Sequence, residues 1–95
     1  MIDKKNLANL KEIADTYGYE NQSMQLIEEM AELTQAINKY RRYGTYETKC
    51  HIIEEIADTS IMLEQMIHLL QVDKLVFDIY VEDKIDRTMK RLEKE

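Results

Sequence analysis

Hydrophobic positions recur every three or four residues along nearly the whole chain, which is the period of a helix with one apolar face. Between Asp3 and Gly18 the series is Leu7, Leu10, Ala14 and Tyr17, predicting a helix capped by Asp3 and stopped by the glycine. A second helix is predicted over about Asn21 to Tyr43, with Leu26, Met30, Leu33, Ile37 and Tyr40 as its core stripe and Gly44 as its stop. Thr45 or Thr48 can cap a third, whose stripe is Ile52, Ile56, Leu63, Ile67 and Leu70. Asp73 can cap a fourth, carried by Val81, Ile85, Met89 and Leu92 nearly to the C-terminus.

Composition agrees with this pattern. The 95 residues include no proline, only two glycines and 44% hydrophobic residues, which suits an all-α protein, an antiparallel bundle of about four helices in one domain spanning 1–95. A chain this short buries about 60% of its unfolded surface, so apolar area is expected to remain for a second copy, as a homodimer or homotetramer. The formal charge of −6 argues against nucleic-acid or membrane partners, both of which need a dense cationic surface. Without a signal-like start or a long apolar run, a cytoplasmic location is expected. Cys50, the only cysteine, has no disulfide partner in the chain, and with only His51 and His68 besides, a zinc site lacks ligands.

Two octets answer each other: Ile27-Glu28-Glu29-Met30-Ala31-Glu32-Leu33-Thr34 and Ile53-Glu54-Glu55-Ile56-Ala57-Asp58-Thr59-Ser60. At about 100° per residue, Glu28 and Glu54 point away from their helices' apolar stripes. Glu29 and Glu32 share a flank with Gln22, Gln25 and Ala36, and Glu55 and Asp58 share the matching flank with His51, Met62, Met66 and Leu69. Apolar neighbours on these flanks point to a groove or subunit interface. Exposed like charges at helical spacing cost about a few tenths of a kcal/mol per pair, whereas partly buried, unpaired carboxylates cost about several kcal/mol each. Lys39 and Arg42 lie beyond the motif, so a hard divalent cation that accepts oxygen ligands is the natural counter-charge.

The spacing EExxE, read as Glu28-Glu29-Met30-Ala31-Glu32, followed by ExxD, read as Glu55-Ile56-Ala57-Asp58, resembles the all-α nucleoside triphosphate pyrophosphohydrolases. That MazG-like group includes dimeric dUTPases and phosphoribosyl-ATP pyrophosphohydrolase. The resemblance implies Glu29, Glu32, Glu55 and Asp58 as metal ligands, Mg²⁺ as cofactor with Mn²⁺ as a substitute, and a bundle completed by a second subunit. It further implies hydrolysis of a nucleoside triphosphate to the monophosphate and pyrophosphate, by a water that attacks phosphorus. Glu28 belongs to the motif and is a candidate to orient that water, although its phase favours solvent.

On the fourth helix Phe77, Tyr80, Lys84, Arg87 and Arg91 fall on one face, and Lys84 and Arg87 are candidates to hold phosphate oxygens. The alternative for this stripe is a basic face paired with surface acids. Gln22, Gln25, Lys39 and Tyr43 are candidates for contacts with base or sugar. A phosphoribosyl-ATP pyrophosphohydrolase-like activity ranks lower, because that enzyme carries a histidine shortly after the ExxD aspartate and Thr59 to Gln65 contains none. A di-iron bundle needs Glu-x-x-His pairs, and neither His51 nor His68 has an acid three positions earlier. A non-catalytic helical adaptor would explain the amphipathic helices but not the paired acidic motifs.

Overall fold

The computed structural model describes residues 2–94. Among these there are three helices and no strand: α1 over Lys4–Tyr43, α2 over Tyr46–Leu69 and α3 over Lys74–Lys94. None is long and apolar enough to cross a membrane.

The helix boundaries follow local chemistry. The Asp3 carboxylate accepts from the Asn6 backbone N–H at 2.8 Å, satisfying one of the free donors of the first turn. Gly18 interrupts α1 with φ 81° and ψ 168°, and the helix resumes at once. A Cβ there would meet nothing within 4 Å, so it is the backbone conformation, not space, that calls for glycine. Gly44 closes α1 in the left-handed region, its N–H donating to the Tyr40 carbonyl at 2.8 Å. Thr45 is the cap of α2, in a reciprocal pairing with Thr48: each hydroxyl accepts from the other's backbone N–H at 3.2 Å. Asp73 caps α3 by accepting from the Leu75 N–H at 2.8 Å.

The end of α2 carried no glycine to announce it. Gln71, at φ 51°, takes the left-handed position, its N–H donating to the His68 carbonyl at 3.1 Å while the Val72 N–H donates to Ile67 at 3.0 Å. This is the double closure that usually recruits glycine.

The stretch of α1 after Gly18 lies against α2 as an antiparallel hairpin, with Gln22 beside Gln65 and Glu29 beside Thr59. The stretch before Gly18 lies along another side of α2, where Asp15 meets His68 at 2.8 Å. The buried residues are Leu10, Ala14, Gln22 and Ala36 of α1 and Glu55, Thr59, Met62 and Gln65 of α2. This corrects the predicted core. Met30 is 50% exposed and Ile56 and Leu63 are each 46% exposed, while Leu26, Leu33, Ile52 and Ile67 are only half-buried. The chain's own helices meet through the acidic flanks instead, because Ala36 and Thr59 are small enough to let two backbones approach. The Thr59 hydroxyl reaches the Glu29 carbonyl of the facing helix at 3.4 Å.

The expected four-helix packing is also not what one chain builds. Among the described residues α3 approaches neither α1 nor α2, and none of its residues is buried. The radius of gyration is 16.3 Å, against about 12.4 Å for a compact domain of this length.

Candidate metal centre

Three of the four expected ligands come together. Glu29, Glu32 and Glu55 each offer a carboxylate oxygen within 4.8 Å of the other two. Glu29 and Glu32 share one face of α1 because they are three residues apart, and the hairpin sets Glu55 of α2 opposite them. Asp58, a turn beyond Glu55 and half-buried, stands outside this group. It is still close enough for its charge to act on Glu55.

Glu55 is the innermost member, at 5% exposure. Burial pushes its carboxyl above the ordinary glutamate range, and the charges of Glu32, Asp58 and Glu29 push the same way; His51 opposes them. The His51 Nε2 lies 4.0 Å from Glu55 Oε1. Glu29 is steadied by Gln25, whose Nε2 donates to Glu29 Oε1 at 2.9 Å. The other oxygens, Glu29 Oε2 and Glu55 Oε2, are buried with no hydrogen-bond partner. Among the described residues no lysine or arginine lies within ion-pair distance of the three acids.

An all-oxygen donor set with two buried, unanswered carboxylate oxygens fits a hard divalent cation.

The remaining candidates are dispersed. Glu28 is exposed, as its phase predicted, and borders a shallow depression with Tyr17, Asn21, Gln22, Met24 and Gln25. Gln22 is committed to structure: its Nε2 donates to Gln65 Oε1 at 2.7 Å in a buried pair. Gln25 faces Glu29 and acts on that carboxylate. Lys39 sits with Gln35, Asn38 and Arg42 on the surface, about 10 Å along the helix from Glu32. Exposed Tyr43 lies under the Arg42 guanidinium, 5.9 Å from the ring centre. Lys84 and Arg87 ride on α3 and are not brought to the acids by their own chain; Arg87 pairs instead with Asp83 at 2.9 Å.

Gln65, Thr59 and the Asp15–His68 pair escaped the sequence reading. Thr59 and Gln65 fall four and ten residues after Glu55 on the same helix side, a phase that invited inspection. Nothing local joins Asp15 to His68, which are 53 residues apart. No family model matches the chain, and neither curated proteins nor solved structures provide a match.

Proposed function

We propose that the chain is a Mg²⁺-dependent nucleoside triphosphate pyrophosphohydrolase whose cation is held by Glu29, Glu32 and Glu55, with Asp58 beside them. The observation that carries the cation site is the pair of buried, unpartnered oxygens, Glu29 Oε2 and Glu55 Oε2, facing a third carboxylate. Unanswered burial of this kind is costly, and among the described residues no lysine or arginine relieves it. The nucleotide reading adds the EExxE and ExxD spacing and its resemblance to the MazG-like group.

When bound, a divalent cation supplies the charge neutralisation that a triphosphate requires and favours attack of water at phosphorus. The chain's own residues prepare that site. Gln25 fixes one Glu29 oxygen and leaves the other directed inward. The Thr59 hydroxyl ties the Glu29 backbone to α2 and so holds the two acidic segments at one separation. Glu28, exposed next to Glu29, enters this reading only as the motif's candidate to orient the attacking water. Lys84 and Arg87 would meet phosphate oxygens only from the α3 of another copy, which belongs to the same reading together with a homodimer or homotetramer.

A panel of ribo- and deoxynucleoside triphosphates with Mg²⁺ or Mn²⁺, scored for pyrophosphate against orthophosphate, tests the proposal. Pyrophosphate release that disappears in Glu29→Gln, Glu32→Gln and Glu55→Gln supports it. Orthophosphate release, or turnover that survives all three changes, refutes it. The adaptor reading draws on one observation, the apolar faces left uncovered on α2 and α3, and it predicts no response to either metal.

A further inference from the structure

The formal charge of −6 hides an uneven distribution. Four of the 13 lysines and arginines, Lys39, Arg41, Arg42 and Lys49, fall within residues 39–49, together with only one of the 19 acids, Glu47. That stretch carries +3 and the rest of the chain −9. It is the tip of the hairpin: the end of α1, the connection at Gly44 and Thr45, and the start of α2. Measured along the helix axes, all four cations lie within about 8 Å of the connection. All are exposed, and among the described residues none has an ion-pair partner.

Three tyrosines are set among these cations. Tyr40, Tyr43 and Tyr46 are 39%, 61% and 81% exposed, and the Arg42 guanidinium lies over the Tyr43 ring. A helix C-terminus favours positive charge, which accounts for Arg41 and Arg42 in the last turn of α1. It does not account for Lys49, which stands in the first turn of α2, where the helix dipole disfavours a cation. Nor does it call for three tyrosine rings in water.

Crowded, unpaired cations repel one another, and a polyanion relieves them. The rings narrow the kind of polyanion, because aromatic faces and guanidinium planes are the surfaces on which unpaired bases stack. A lipid surface is the poorer match: residues 39–49 contain no leucine, isoleucine, valine, methionine, phenylalanine or tryptophan to enter the acyl region. A duplex is also a poorer match. Lys39 and Arg42 share one surface with Gln35 and Asn38, while Arg41, about 100° around the helix from Arg42, faces elsewhere. The cations thus ring a convex tip, which a flexible strand can follow and a stiff double helix cannot.

We infer that the hairpin tip binds single-stranded nucleic acid without sequence preference, with Lys39, Arg41, Arg42 and Lys49 meeting phosphates and Tyr43 and Tyr46 meeting bases. The tip starts about 10 Å along α1 from Glu32, and the inference does not rest on the hydrolase reading.

The test is fluorescence anisotropy of a labelled single strand of mixed sequence, about 12 nucleotides long, as DNA and as RNA. The full chain is titrated in chelator, so that no metal ion joins phosphate to the acids. Four phosphate contacts predict an affinity that falls about 50-fold between about 50 and 200 mM salt. Arg41→Gln combined with Arg42→Gln should lower the salt slope by about 1.4, whereas Tyr46→Ala should weaken binding at least about fivefold and leave the slope unchanged. These side chains are exposed, so circular dichroism should show the helices intact. A duplex of the same length, inorganic polyphosphate and vesicles containing phosphatidylserine should each bind more weakly than the single strand. No binding of the single strand at the lower salt, an unmoved slope in the double arginine variant, undiminished binding by Tyr46→Ala, or equal binding of any of the three comparison ligands would overturn the inference.

Discussion

Replacing Glu55 by glutamine keeps the shape of the innermost side chain at the cluster and removes its charge. In the metal-free protein that charge sits in a poor place, buried to 5% exposure and surrounded by Glu32, Asp58 and Glu29. Glu55→Gln should therefore melt no lower than the unaltered protein, and by this reasoning higher, when measured in chelator at neutral pH. With divalent cation the order should reverse. A cation present at 100 times its dissociation constant stabilises the folded state by about 2.7 kcal/mol, and at about 4–8 °C per kcal/mol for a chain of this size the midpoint rises by about 10–20 °C. A tenfold or greater loss of affinity leaves at most about 1.4 kcal/mol at the same concentration. The assay is calorimetric melting at fixed protein concentration in chelator, Mg²⁺ and Mn²⁺, with exposed Glu28→Gln as the variant that keeps the full rise. Equal metal-induced shifts in Glu55→Gln and the unaltered protein would refute the assignment of Glu55 as a ligand.

Acidity should mimic part of this substitution. Because the folded protein holds the Glu55 carboxyl above its ordinary range, the proton stabilises the fold fully below the unfolded value, and that stability is lost as pH rises through the raised value. Melting midpoints of the metal-free protein should thus fall with rising pH across that window, more steeply than in Glu55→Gln; parallel slopes would remove the cause given. Gln65→Leu strands the buried Gln22 Nε2 and should cost about 1–3 kcal/mol in urea unfolding. Gln22→Leu with Gln65→Leu should then cost less than the two single changes summed, and simple additivity would show the pair to be uncoupled. Gln71→Gly should raise stability, up to about 1 kcal/mol, by relieving the left-handed conformation; a loss in denaturant midpoint would contradict that account.

Helix boundaries were legible wherever one side chain or one glycine decides them. Asp3, Thr45 and Asp73 cap by reaching a backbone donor within three residues, and Gly18 and Gly44 adopt conformations that other residues resist. The phase of the acids was legible for the same reason: period alone separates Glu28 and Glu54 from Glu29 and Glu55. What period could not supply was the identity of the covering surface. Met30, Ile56 and Leu63 belong to the strongest apolar stripes, yet their own chain leaves them about half exposed while Gln22, Thr59 and Gln65 are buried. Hydrophobic spacing marks a face that will be covered and does not say by which chain. The fate of α3 was hidden likewise, since its direction depends on Gln71 taking a position that glycine normally signals.

The two-residue connection between α1 and α2 also limits how this site can change. Counted from Gly44, Glu32 lies 12 residues back and Glu55 lies 11 residues forward, so the acids face each other across arms of nearly equal length. One residue inserted in either arm would rotate everything beyond it by about 100° and carry it about 1.5 Å along the axis, swinging Glu32 or Glu55 away from its counterparts. Length can change harmlessly only at the bend itself, or by matched additions of about seven residues to both arms, which restore phase to within about 20°. The distance between the two acidic segments is therefore quantised by the hairpin, and single-residue insertions within either helical arm between Glu32 and Glu55 should be far less tolerated than substitutions there.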